Sequence, residues 1–384
     1  MSTRTVAVVT GTRAEYGLLA TVMDSIEARD DLALEVVATG THLSPQHGHT
    51  VDEIEADGFE VAHRVNLLLD SDSRTAMAKS LGIGVSSFAD GFDLLDPDIV
   101  LVLGDRYEAF AAGVAAAHMN IPVAHIHGGD VMQGAVIDDS IRHALTKFAH
   151  LHFPASELSA DRIEQLGEEP WRITVAGAPG LDAVLAEKYR DPGTVAEQHD
   201  LTDDVPLGLV VQHPLTTQPK EAGRQMRKTL DALADVDLQG VLVYPNADAG
   251  SKRMIEEIES TTLDRFRVFK NLPRDEFLGL MAAADVMAGN SSSGIIEAPS
   301  FGLPVVDIGP RQEGRERADN VVSVPHETDE IREAIERCLT DRDTIERAAS
   351  CENPYDYGGA GDRIARRLAE VDLSYDLLRK RAVF

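Results

Sequence analysis

The sequence predicts an α/β chain of two doubly wound domains, each a parallel sheet with helices on both faces, facing a central cleft. Three observations carry that expectation. Short continuous apolar runs such as Val6–Val9 and Ile99–Leu103 recur without in-out alternation, as expected of strands covered on both faces. Helix-length stretches separate them, the Ala-rich Tyr107–His118 being the clearest, so strand and helix alternate throughout. The pattern breaks once, at the charged and turn-rich Glu187–Pro206, and then restarts, which fits two domains within 384 residues.

In the first half, Val6–Val9 is a strand that Gly11–Gly17 turns into the helix Leu18–Ala28. The turn resembles a phosphate-binding one but lacks the three-glycine dinucleotide fingerprint, so a hydride-transfer cofactor is disfavoured and no cofactor is expected. Strand Leu34–Ala38 ends in the polar loop Gly40–Ser44. Helix Val51–Asp57, strand Glu60–His63 and the long helix Thr75–Leu95 lead to strands Ile99–Leu103 and Pro122–Ile126. His150–Phe153 and Ile173–Val175 read as short strands around helix Glu157–Leu166. In the second half the strands are Leu207–Val211, Gly240–Tyr244, Arg267–Phe269, Val286–Ala288 and Val305–Ile308, with a helix over Ser292–Phe301 among others. The expected division is a Rossmann-like domain over 1–185, a second over 186–365, and a terminal helix over 366–384 packing back on the first. Two such domains enclose a cleft that a hinge would close.

Sixty-five acidic against 36 basic residues give a net charge of -29, within a composition, 43% hydrophobic and 26% charged, typical of a soluble globular protein. That charge repels nucleic-acid phosphates and no basic stripe offsets it, so a nucleic-acid partner is excluded. An acidic coat also keeps a chain dispersed at high salt, the setting of a halophilic source, although an inert acidic surface is the plainer and preferred reading. Cys338 and Cys351 alone make neither a disulfide framework nor a zinc site, and no metal is expected. The chain enters a strand at its start without a long apolar leader, and no run of about 18 apolar residues occurs, so no membrane span and a cytoplasmic location are expected.

In an open parallel sheet, ligands bind at the carboxyl ends of the strands. Ile99–Leu103 ends in Gly104-Asp105-Arg106 and the next strand in His125 to Asp130. The following helix begins with Asp138, Asp139, Arg142 and His143, whose spacing places Asp138 on the face of Arg142 and Asp139 beside His143. Carboxylates, histidines and arginines on three successive elements suit acid/base chemistry on an anionic substrate, with Asp105, His127, Asp130 and Asp138 as candidates beside Arg106 and Arg142. A plainer reading has Asp105 in a salt bridge to Arg106, and Asp138 or Asp139 merely starting a helix. In the second half, Gly289-Asn290-Ser291-Ser292-Ser293-Gly294 lies between a strand and a helix, as a phosphate-binding turn does, although a serine there is also an ordinary cap. Glu297, one turn on, suits two ribose hydroxyls or simply an exposed helix face. Gly309–Glu316 adds Arg311 and Arg315, and His213 at a strand end is a phosphate donor or a structural histidine.

The motifs TGTRAEYGLL, DPDIVLVLGDRYEA, MNIPVAHIHGGD, IDDSIRHALTKFAHLHF, AGAPGLD, VVQHPLTT, YPNADAGSK, AGNSSSGIIEA and GPRQEGRE together resemble the hydrolysing UDP-N-acetylglucosamine 2-epimerases of sialic acid synthesis over nearly the full length. The resemblance implies a glycosyltransferase B type fold and conversion of a nucleotide-sugar substrate to UDP and N-acetylmannosamine, through elimination to 2-acetamidoglucal and hydration. It implies that the diphosphate lies on Arg13, His213, Ser291, Ser292 and Arg311, the ribose on Glu297 with Asn246 nearby, the sugar and leaving phosphate at Asp105 and Arg106, and that Asp138 is the acid of the hydrolysing branch. A homodimer or homotetramer is implied in the same way. Where relatives carry a motif like HIEGGE, this chain has His127 and Asp130. Three other readings remain at this point: a non-hydrolysing epimerase that returns UDP to the sugar, the same hydrolysis on a GDP-linked sugar, and a sugar-nucleotide-binding regulator without turnover.

Overall fold

The computed structural model of the chain describes residues 3–45, 48–69, 74–132, 136–202, 204–246 and 248–383. Its apolar runs form two separate six-stranded sheets, both entirely parallel. The first contains β1 (Arg4–Thr10), β2 (Leu32–Thr39), β3 (Val61–Val65), β4 (Ile99–Leu103), β5 (Val123–Ile126) and β6 (Leu151–Phe153), in the order β3-β2-β1-β4-β5-β6. β4, β5 and β6 are buried at every residue, because helices cover both faces. One core layer carries Val6, Leu19, Leu101 and Ile126; the opposite layer carries Val9, Phe88, Val102 and Ala112.

The second sheet contains β7 (Leu207–Val211), β8 (Gln239–Val243), β9 (Phe266–Phe269), β10 (Val286–Gly289), β11 (Val305–Ile308) and β12 (Val321–Val324), in the order β12-β11-β10-β7-β8-β9. In each sheet the strand order reverses beside the first strand of that sheet, between β1 and β4 and between β7 and β10. Such a switch point leaves a crevice at the carboxyl ends, where the connections run to opposite faces. Registers align the strands there: Val8 lies opposite Leu101, and Val211 opposite Gly289.

The chain divides into two compact units: Met1–Asp130, Ile137–Asp182 and Tyr357–Phe384 form one, and Val131–Val136 and Ala183–Asp356 the other. The returning C-terminal segment is bound into the first unit by buried polar contacts. Asp182 accepts the N–H groups of Ala360 and Gly361 at 2.8 and 2.7 Å, satisfying two donors at the start of helix Ala360–Glu370. Arg172, almost fully buried, donates to the carbonyls of Leu377 and Asp376 at 2.7 and 3.0 Å.

The structure departs from the sequence expectation at several elements, among them the unexpected helices Pro192–Gln198 and Arg342–Ala349. Ile173–Val175 is no strand; Ile173 makes one isolated bridge to His152, and the segment follows β6 through the Thr174 N–H to the His152 carbonyl and the Ala176 N–H to the Pro154 carbonyl, each 2.9 Å. β12 was not expected: it is a half-exposed edge strand between polar Asp319-Asn320 and Pro325 and lacks the run of a buried strand. The first helix starts at Arg13 rather than Leu18, since the Thr12 hydroxyl caps the Glu15 N–H at 3.3 Å and Gly17 is absorbed inside the helix. Ser292–Phe301 divides into Ser293–Ile296 and a 3-10 turn Ala298–Phe301, where Pro299 cannot donate to the helical ladder. Among the described residues no helix is long and apolar enough to cross a membrane.

Candidate functional site

The first unit gathers its polar strand ends around one guanidinium. Arg142 lies two turns into helix Val136–Phe148, and its side chain is 2% exposed. It binds Asp105 beyond β4, donates to the carbonyl of His127 beyond β5 at 3.0 Å, and lies 3.5 Å from Asp130. Burial alone would lower the pKa of this guanidinium, but the carboxylates of Asp105, Asp130 and Asp139 raise it further. Asp138 is half-buried at the start of the same helix, and Asp139 stands 3.6 Å from His143. Behind the cluster, His125 donates from Nε2 to the Gly104 carbonyl at 2.7 Å; burial pushes its pKa down to about 3, so the ring is neutral. His127 is buried with φ of 62°, a left-handed backbone that a histidine adopts at some cost. Its N–H is held by the Phe153 carbonyl and its own carbonyl by Arg142, so the turn is fixed at both ends.

The plainer reading of Asp105 is therefore corrected in its partner. Asp105 pairs with Arg142, a residue 37 positions on, whereas Arg106 turns to Glu108 with Nε and Nη2 each 3.3 Å from a carboxylate oxygen. Neighbours in a strand-to-helix turn diverge, so the two side chains reach different elements. Arg13 is salt-bridged to Glu53 at 2.6 Å.

In the second unit the organising residue is Asn290, buried at the carboxyl end of β10. Its side chain accepts from the His213 N–H at 2.7 Å and donates to the His213 carbonyl at 2.9 Å, locking the turns after β7 and β10 together. Its own carbonyl accepts from Arg311 at 3.1 Å and Gln312 at 2.8 Å. The approach requires Gly289, where φ is 133° and a Cβ would lie 2.0 Å from the Val211 carbonyl oxygen. His213 accepts the Asn246 N–H on Nδ1 at 3.1 Å, and burial, then Arg311, holds its pKa well below the ordinary value. A neutral ring with an accepting Nδ1 carries its proton on Nε2, which makes His213 a donor. The Ser291 hydroxyl accepts the Ser293 N–H at 3.3 Å, and Ser292 stands at the head of the short helix. Glu297 is buried and held by Arg274 at 2.8 Å.

Sequence reading named His213, Asn246, Ser291, Ser292, Glu297 and Arg311 here, and the structure places them all in the second unit, with Asn290 joining His213 to Arg311. It passed over Asn290, Gln312 and Arg274 as positioners; an Asn at a strand end before a serine turn was the available signal. Among the described residues no group of His, Cys, Asp or Glu is arranged to hold a metal ion. The chemistry on offer is carboxylates beside a guanidinium in one unit and convergent hydrogen-bond donors suited to an anion in the other.

Comparison with known proteins agrees with the fold. A hydrolysing UDP-N,N'-diacetylbacillosamine 2-epimerase of Legionella pneumophila is 36% identical over 379 residues, 98% of either chain. A hydrolysing GDP/UDP-N,N'-diacetylbacillosamine 2-epimerase of Campylobacter jejuni is also 36% identical, over 88% of either chain. The crystal structure of UDP-GlcNAc 2-epimerase from Neisseria meningitidis bound to UDP-GlcNAc superposes with a TM-score of 0.83 at 21% identity, covering 96% of this chain and 100% of that one. Residues 24–369 match the family model described as UDP-N-acetylglucosamine 2-epimerase, and the chain belongs to that family.

Proposed function

We propose that the protein is a hydrolysing 2-epimerase of a UDP-linked 2-acetamido sugar: UDP-N-acetylglucosamine, to give UDP and N-acetylmannosamine. The observation that carries the hydrolysing outcome is the 36% identity, over 98% of the chain in one case, to relatives whose names specify hydrolysis. The same relatives favour a second reading of the sugar, N,N'-diacetylbacillosamine, with the same bond changes.

In this reading the diphosphate is bound by the His213 Nε2–H, Arg311, Ser291 and Ser292, while Glu297 takes the ribose hydroxyls and Asn246 fixes the His213 tautomer. A base, Asp105 or His127, takes the proton from C2; the C2–H electron pair forms the C1–C2 double bond, and the C1–O pair leaves with UDP. Arg106 meets the charge that develops on the leaving diphosphate. Asp138 or Asp130 then delivers a proton to one face of C2, opposite that from which the first was taken, as water adds its hydroxyl to C1, and the proton that the water releases restores the acid. The C2 proton is weakly acidic, so leaving-group stabilisation supplies much of the rate, about two to three decades for each donor. Acid/base groups add about 10²- to 10⁴-fold. Arg142 keeps a counter-charge beside Asp105 and Asp130 throughout and orients both. The test is incubation with UDP-N-acetylglucosamine or its diacetylbacillosamine counterpart and detection of free UDP. UDP release in step with free sugar supports the assignment. A product still linked to UDP would indicate the non-hydrolysing reaction, and binding without turnover a regulator.

A further inference from the structure

Two carboxylates that the proposed chemistry leaves unused lie beneath the turns after β1 and β4. Glu108 is 1% exposed and meets Arg106 as a two-oxygen fork, while the Arg106 side chain is 33% exposed, so the acid is the fixed end of the pair and the arginine the presented end. Two glycines make room for it. A Cβ on Gly11 would lie 3.0 Å from Cβ and Cγ of Glu108, and one on Gly40 would lie 2.9 Å from its Oε1. Glu15 enters the same place from helix Arg13–Glu27 and accepts the Gly11 N–H at 2.8 Å. The Gly11 carbonyl accepts the Thr41 N–H at 2.9 Å, so three strand-end turns close over the two acids.

We propose that Glu108, backed by Glu15, is a positioning residue that sets where the Arg106 guanidinium is presented to the leaving diphosphate. The inference rests on the reaction proposed above. Charge balance supports it. The groups facing Glu15 are the Gly11 and Thr12 N–H donors of its own turn, with Glu108 and Arg106 from the β4 corner. Burial, opposed by the Gly11 N–H and assisted by Glu108, pushes its pKa up to about 8. At neutral pH Glu15 is therefore protonated and adds no charge beside the Glu108–Arg106 fork. Above about pH 8 a second charge develops beside Glu108 and competes for the guanidinium.

The experiment compares UDP release from pH 6 to 9.5, UDP affinity by calorimetry, and the Arg106 Nε–H resonance in the wild type, Glu108→Gln and Glu15→Gln. Misplacing a transition-state group by about 1 Å costs about 100-fold, so Glu108→Gln should lose about 10- to 100-fold in kcat with UDP affinity held within about threefold. The wild-type rate should fall above about pH 8. Glu15→Gln, which still accepts from Gly11 but cannot ionise, should move that limb up by at least one pH unit. Turnover in Glu108→Gln within twofold of wild type, or a limb unmoved in Glu15→Gln, would overturn the inference. If Glu108→Gln does not fold, the alkaline limb of Glu15→Gln decides it. If the wild type releases no UDP, the reaction assignment has failed, and the resonance alone tests the brace: shifted in Glu108→Gln it stands, unchanged it falls.

Discussion

Replacing Arg142 by Met should destabilise the first unit by about 3–5 kcal/mol at pH 7, the cost of removing one partner from a buried ion pair. The figure follows from what the guanidinium holds. The Arg142 side chain is 2% exposed, and it serves the Asp130 carboxyl, itself 4% exposed, the Asp105 carboxyl at 17%, and the His127 carbonyl. Methionine fills most of the volume but takes the guanidinium from both acids and releases one end of a left-handed histidine. Protonating the two acids removes most of that cost, so the gap between variant and wild type should narrow as pH drops from 7 to 4. Trp171, the single tryptophan, lies in the first unit and is half-exposed, so its fluorescence during urea unfolding reports that unit. The double variant Arg142→Met with Asp105→Asn should recover more than about 1 kcal/mol, since the two residues are in contact and their effects do not add. A loss below about 1 kcal/mol at pH 7, or no recovery in the double variant, would refute the shared-guanidinium account.

Three further outcomes are expected. Asp105→Asn and Asp138→Asn should each abolish UDP release while UDP still binds by calorimetry; near-normal turnover in either removes that residue from the mechanism. Ser291→Ala with Ser292→Ala should weaken UDP binding about tenfold, as loss of charge-assisted hydrogen bonds does, and an unchanged dissociation constant would defeat the anion-cradle assignment. Glu15 has a folded pKa of about 8 against 4.5 for the free side chain, so the folded state holds the extra proton and stability declines as pH rises from 4.5 to about 8. Glu15→Gln removes that decline and should gain about 3 kcal/mol at pH 7, measured by urea unfolding; equal stability at pH 5 and 7 in the wild type would contradict it.

The strands were legible because full burial is written as an unbroken apolar run, as in β4 and in Val6–Val9 of β1, whereas the half-exposed edge strand β12 carries no such run. Polar groups at strand ends were legible for the same topological reason, and the turns holding Asp105, His127, His213 and Ser291 lie at carboxyl ends. Partnership was not. Asp105 reaches Arg142, 37 residues on, because the fold brings the two elements together, and Arg106 reaches Glu108 two residues away because of the direction of the turn. Glu15 lay in the turn expected before a helix from Leu18, and Glu108 carried no signal of its own; only the fold shows that two glycines open a buried place for Glu108 beside Glu15. Asn290 was overlooked because its function is to join two distant turns, and neither turn alone requires an amide there.

The central claim is that a proton leaves C2, UDP departs from C1, and water completes the product. Proton NMR of the reaction with UDP-N-acetylglucosamine, and in parallel with its diacetylbacillosamine counterpart, in deuterated water reads all three steps at once. The account predicts, for at least one of them, free UDP and a free sugar inverted at C2 with deuterium at that carbon. A product still joined to UDP, or a free sugar keeping its original proton and configuration at C2, would contradict it.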